Sequence, residues 1–223
     1  MHPSMHRNER GSFVYYTCDR LPVRHAFTTK FGGVSRGDCE SLNLGFNRGD
    51  ERENVLENYR ILAEQLGMDE GRITMTKQIH DTQISVVTEG EAGMGLHQPM
   101  AWESDAIVTA LPETPLCGFY ADCVVTLFYD PATQTAGVAH AGWRGMAAGI
   151  LPKTVEVMAE KLGAKRESLI AVLGPSIRQE CFETDADVPE AMERLMGERV
   201  HPFIAEKGVK FHVDPVSYTH LTL

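Results

Sequence analysis

Two stretches of this 223-residue chain, Tyr120-Ala121-Asp122-Cys123 and His140-Ala141-Gly142-Trp143-Arg144-Gly145, bracket a short apolar hairpin. Both read as strand ends, where a thiol and an imidazole can converge on one centre. A third candidate, His80 in Lys77-Gln78-Ile79-His80, closes another short apolar run. Two histidines and one cysteine can hold a single zinc ion and keep its fourth position for water or substrate, as catalytic sites do. One thiolate and two neutral imidazoles leave the ion a net charge of about +1, enough to draw the pKa of a bound water from about 16 toward 7. The competing reading of Cys123 is a small buried hydrophobe, the common fate of a free cysteine.

Other residues could serve such a centre. Arg144 opens a predicted helix, where a guanidinium fork beside free backbone N–H groups suits an anion such as phosphate. Asn43 and Gln78 are amides able to hydrogen-bond a substrate hydroxyl or ring edge, or else to brace their loops. Asp122 is read as a candidate catalytic residue alongside Cys123. It could exchange protons, or, the favoured role, orient a ligand histidine, and Asp105 in Glu103-Ser104-Asp105-Ala106 could do the same. Arg60 reads equally as a solvated charge or a site residue, and His25, His97, His201 and His212 lack matching partners in the sequence.

The elements that must position these groups are legible in outline. Val124–Tyr129 and Thr135–Ala139 flank Asp130-Pro131-Ala132-Thr133-Gln134, a hairpin connection in which Pro131 sets the turn. Cys123 lies seven residues before Asp130 and His140 five after Thr135, so antiparallel pairing brings them to one edge. Short strands are predicted over 23–29, 73–76, 83–88, 106–109, 116–120 and 168–173. A helix is predicted from Asp50, with Asp50 and Glu53 in a capping box and Val55, Tyr59, Leu62 and Leu66 on one face before Gly67. A second runs from Trp143 to Leu162, kinked or interrupted by Pro152, and a third covers 187–196. The fold class is α/β, one domain.

Composition narrows the function. The 43% hydrophobic content suits a globular core, and a net charge of −10 without a Lys/Arg-rich run argues against a nucleic-acid surface. Five cysteines with no CxxC pair and no secretory signal suggest a reduced, cytoplasmic protein. No apolar run nears the roughly 20 residues of a membrane span.

Six segments in order also carry a resemblance: Thr28-Thr29-Lys30-Phe31-Gly32-Gly33-Val34-Ser35, Ser41-Leu42-Asn43-Leu44-Gly45, Lys77-Gln78-Ile79-His80, Ala121-Asp122-Cys123, His140-Ala141-Gly142-Trp143-Arg144-Gly145 and Gly174-Pro175-Ser176-Ile177. With these the sequence resembles the laccase-domain family, also called the polyphenol oxidase or purine nucleoside phosphorylase family. The resemblance implies a mixed β core layered with helices, zinc on His80, Cys123 and His140, and purine nucleosides and phosphate as small-molecule partners. It also implies phosphorolysis of adenosine, inosine and methylthioadenosine, and adenosine deamination. Its older name suggests a copper (Cu2+) phenol oxidase, yet one cysteine and two histidines make too small a set for multi-copper chemistry. A Cys123–His140 hydrolase dyad and a non-catalytic metal-binding partner in peptidoglycan-related regulation are the remaining alternatives. Residues 1–12 read as a loose N-terminus and 13–214 as the family domain. Residues 215–223 read as a tail that does not match the family's pattern, so the domain is expected to be truncated at its C-terminus.

Overall fold

The computed structural model describes residues 5–223. The chain opens with an antiparallel hairpin of β1 (Met5–Arg10) and β2 (Phe13–Cys18), joined by β3 (Phe27–Thr28). Helix α1 (Arg52–Leu66) follows a long loop and leads to β4 (Thr74–Met75), β5 (Ile84–Val87), β6 (Ala106–Thr109) and β7 (Leu116–Cys117). The central hairpin is β8 (Val124–Asp130) and β9 (Thr135–Ala141); then come helices α2 (Trp143–Ala147) and α3 (Ile150–Leu162) and strand β10 (Ile170–Leu173). Strand β11 (Glu183–Thr184), helix α4 (Asp187–Met196), the hairpin β12 (Ile204–Lys207) and β13 (Lys210–Val213), and helix α5 (Pro215–Thr222) complete it.

Five strands in the order β10-β8-β9-β6-β5 form the main sheet, antiparallel except for the parallel β5–β6 edge. Side-chain alternation divides its core in two. Val108, Val124 and Ala139 face the helices, packing with Ile150, Leu151, Met158, Met192 and Tyr218. Ile107, Val125, Val138 and Val172 face Cys18, Leu21 and Phe27 of the N-terminal segment. A further cluster sets Val55, Tyr59 and Leu62 of α1 against Phe13, Tyr15 and Ile73. The expected single α/β domain with a mixed β core and covering helices is the architecture observed.

Several local expectations are corrected. The supposedly loose residues 5–10 pair along their length with β2 across a turn at Gly11, which has φ +61°; residues 1–4 lie outside the described residues. The predicted helix over 143–162 is two helices, parted at Gly149, whose φ of +80° a β-carbon would oppose. Pro152 sits in the first turn of α3, where its missing N–H is no loss. The capping box at Asp50 does not form: α1 starts at Arg52, and the Asp50 carboxylate instead accepts from Ser35, Asn43, Asn54 and the Glu51 N–H. Those four donors hold its pKa down at about 2. The strand expected over 23–29 shrinks to Phe27–Thr28. Residues 215–222, expected to be an unmatched tail, form α5; Asp214 caps it by accepting from Val216 and Ser217, Pro215 occupies the first turn, and Tyr218 and Thr219 are buried.

Candidate metal centre

His80, Cys123 and His140 do converge: their ligand atoms all lie within 4.8 Å of one another. The sheet explains two of the three. Val125 pairs with His140 across β8–β9, and paired residues share a face, so Cys123, two positions before Val125, points the same way as His140. It is the face of Val125 and Val138, so the site is the rim of that buried layer. The hairpin register inferred from residue counting holds, with Cys123 diagonal to His140 rather than opposite it.

His80 comes from the loop between β4 and β5 and meets His140 edge to face, ring centroids 4.7 Å apart. Its backbone adopts φ +60°, the left-handed region that a non-glycine residue enters only when its surroundings hold it there. Asp105 does the holding. Its carboxylate accepts the N–H groups of Ile79, His80 and Asp81, each at 3.0 Å, and also Nδ1 of His140 at 2.8 Å. Asp105 precedes β6, and because Ala106 pairs with Ala139, the next register position faces it toward His140. The orienting carboxylate is therefore Asp105; Asp122, favoured for that role from sequence, is exposed beside Cys123.

Asp105 is fully buried, and His140 is 3% exposed. Burial alone would raise the Asp105 carboxyl, but the three backbone donors and His140 outweigh it and hold the pKa below its ordinary value. Burial lowers His140, with repulsion from His80 adding to the effect and Asp105 only partly opposing it. His140 is thus a neutral imidazole at pH 7, and with Nδ1 donating to Asp105 its Nε2 keeps a free lone pair. Burial, then the charges of Asp122 and Asp105, push the Cys123 thiol up. That is the wrong direction for a free thiolate nucleophile, and it counts against the Cys–His hydrolase dyad.

The donor set fits one metal ion. In a tetrahedral zinc site, bonds of about 2.0–2.3 Å separate ligand atoms by about 3.3–3.6 Å, so His80, Cys123 and His140 need contract by only about 1 Å. Asp105 supplies the partner that ligating imidazoles generally have. The centre also depends on an absent side chain: a β-carbon at Gly142 would lie 2.6 Å from His80 Nδ1 and 3.2 Å from His140 Cε1. One at Gly145 would lie 2.8 Å from the Asp81 carbonyl oxygen.

The other candidates are placed as follows. Gln78 clamps Phe119, donating to its carbonyl at 2.6 Å and accepting its N–H at 2.8 Å, which fixes the approach to Cys123. Asn43 donates to Asp50 and the Gly45 carbonyl and accepts the Gly45 N–H, so its amide is occupied in bracing the loop ahead of α1. Arg144 is exposed and lies over its neighbour Trp143, 4.3 Å from the ring centroid, beside a depression that Arg194 and Leu195 also line. Arg60 pairs with Glu57 and Glu64 on the surface of α1. His25 accepts the Cys18 N–H, while His97, His201 and His212 lie beside Glu70, Glu193 and Glu183. Sequence reasoning undervalued Asp105 and the clearance at Gly142; a carboxylate directly before the wholly apolar Ala106-Ile107-Val108 was the available sign. Among the described residues, no helix is long and apolar enough to cross a membrane.

Comparison with known proteins identifies the fold and the family. The crystal structure of the hypothetical protein YfiH from Bacillus licheniformis superposes with a TM-score of 0.86 at 26% identity, covering 96% of this chain and 81% of that one. YlmD from Geobacillus stearothermophilus gives 0.83 at 28% identity, covering 97% and 82%. Among curated proteins, purine nucleoside phosphorylase YlmD of Bacillus subtilis is 36% identical over 76% of this chain, and a purine nucleoside phosphorylase of Deinococcus radiodurans is 38% identical over 87%. The matches span 62% and 71% of those relatives' lengths. The sequence model of one family, described as multi-copper polyphenol oxidoreductase laccase, matches residues 24–223, including the segment read as an unmatched tail, and this chain belongs to that family.

Proposed function

We propose that this protein is a zinc-dependent purine nucleoside phosphorylase that cleaves adenosine, inosine and methylthioadenosine and also deaminates adenosine. The observation that carries the reading is the His80–Cys123–His140 cluster, in a chain whose relatives are named for purine nucleoside phosphorolysis. Among the described residues it is the one such cluster, too few ligands for the several copper ions in the family's description. His80, Cys123 and His140 would hold the ion, which when bound would supply a Lewis acid with a position open to the reacting groups.

The chain's own groups then divide the work. Asp105 holds the backbone of His80 and the ring of His140 in place, and as the acceptor for His140 Nδ1 it favours the Nδ1–H tautomer. In phosphorolysis a phosphate oxygen bonds to the ribose C1′ as the C1′–N9 bond breaks, and the departing base takes a proton. Asp122, exposed beside Cys123, would be the carboxyl that passes that proton, or the one that ammonia takes in deamination. Arg144 supplies the cationic fork for phosphate. Gln78 and Asn43 serve substrate through the loops they brace. The setting is a soluble, cytoplasmic one, where nucleosides and phosphate are at hand.

The test is inosine turnover with and without phosphate, alongside elemental analysis. About one zinc per chain is expected, with ribose 1-phosphate formed only when phosphate is present. Free ribose formed at the same rate without phosphate would replace the phosphorylase with a hydrolase.

A further inference from the structure

We propose that Asp105 is the positioning residue of the centre, a single carboxylate that sets both histidine ligands and keeps the site shaped before metal arrives. This rests on the reading of His80, Cys123 and His140 as metal ligands. Each oxygen of Asp105 has two tasks. Oδ2 accepts from Ile79 and Asp81, and Oδ1 accepts from His80 N–H and from His140 Nδ1. Three successive N–H groups closing around one carboxylate form a nest, and that nest keeps His80 at φ +60°. The residue is itself anchored by its backbone, its N–H donating to Gln83 and its carbonyl accepting the His140 N–H at 2.7 Å. The two histidines lie 60 positions apart in sequence, and Asp105 is bonded to both, to His80 through its backbone N–H and to His140 through its ring.

The arrangement makes asparagine a discriminating replacement, because neither amide orientation can perform both tasks. With the NH2 in place of Oδ2, it opposes the N–H groups of Ile79 and Asp81 and the His80 loop loses two of its three anchors. With the NH2 in place of Oδ1, it opposes the His80 N–H and donates to His140 Nδ1. His140 must then carry its proton on Nε2, the nitrogen needed for the metal. Either way one ligand arm fails.

The experiment measures zinc affinity of the full chain by competition with a chromogenic chelator, for the parent, Asp105→Asn and Asp130→Asn. Asp130 is an equally buried carboxylate, accepting from Ser168, Thr133 and the Lys165 and Ala132 N–H groups, in contact with none of the ligands. Asp105→Asn is expected to bind zinc about 10- to 100-fold more weakly than the parent. Asp130→Asn should lose thermal stability and stay within about twofold of the parent in affinity. Unchanged affinity in Asp105→Asn, or an equal loss in both variants, overturns the proposal. Nitrogen NMR of the metal-free parent is the second readout, independent of whether the variant folds: His140 should be the Nδ1–H tautomer, and the opposite tautomer overturns the assignment. A parent that binds no zinc at all overturns the metal reading, and this inference with it.

Discussion

Alanine at position 142 would place a methyl carbon 2.6 Å from the Nδ1 of His80, well inside contact distance. The backbone there, φ −64° and ψ 158°, suits any residue, so the clash with the ligands is the whole effect. Gly142→Ala is therefore expected to cost zinc affinity tenfold or more while the melting temperature of the metal-free protein stays within about 2 °C, measured by chelator competition and calorimetry. Full affinity in this variant would mean that His80 does not ligate from its present position. Arg144→Ala should raise the KM for phosphate in inosine cleavage about tenfold, the roughly 1.4 kcal/mol suited to an exposed guanidinium that must leave its stack on Trp143. Zinc content should be unchanged and deamination, which needs no phosphate, much less affected. If both activities fall together, Arg144 organises the site instead of holding phosphate. At this scale the sequence displayed the residues that chemistry names by type, a thiol and two imidazoles at strand ends. It offered Asp105 only as second to Asp122, because a carboxylate's use depends on which backbone N–H groups surround it, and those come from a loop some 25 residues away in sequence.

The hairpin that carries Cys123 and His140 is tied to its neighbours at its far end by Asp130, whose carboxylate accepts from Thr133 and Ala132 in the turn and from Lys165 and Ser168 ahead of β10. Burial opposes its charge, yet these donors win and hold the carboxyl well below the usual carboxylate range. A carboxyl depressed on folding contributes stability above its unfolded pKa of about 4 and loses it as pH falls through the folded value. The urea midpoint of the parent should thus drop between about pH 5 and pH 2. Asp130→Asn should start on the order of 2–4 kcal/mol lower at pH 7 and drop less on acidification. Parallel acid profiles for the two proteins would refute the assignment. Elements of this kind were readable where local rules act alone: Ala106–Thr109 and Asp187–Met196 fall where periodicity places them. The reading failed where a tertiary partner competes for a local group. Asp50 is drawn away from capping α1 by Ser35 and Asn43, and the charged run Met5–Arg10 becomes a strand only because β2 lies beside it. The Asp214-Pro215 start of α5 is a legible helix signal, an N-cap carboxylate followed by proline in the first turn.

For the molecule as a whole, the centre is a joint. Its ligands come from the β4–β5 loop, the loop entering β8 and the end of β9, so one ion would pin a surface loop to the middle strands of the main sheet. An ion that binds the folded chain and not the unfolded one stabilises it by RT ln(1 + [L]/Kd), about 2.7 kcal/mol at 100 times Kd. For a chain of this length each kcal/mol moves Tm by about 2–4 °C, so saturating zinc should raise Tm by about 5–11 °C and EDTA should reverse the shift. His80→Ala should abolish the difference while keeping the metal-free Tm close to the parent's, since the His80 side chain is exposed and the Asp105 nest binds the loop through its backbone. Far-UV circular dichroism should be the same with and without metal, because the sheet and helices bury their own cores and do not wait on the ion. A zinc-independent Tm would show that the three ligands do not act as one site, whereas loss of secondary structure on chelation would show that the fold, and not only the joint, depends on metal.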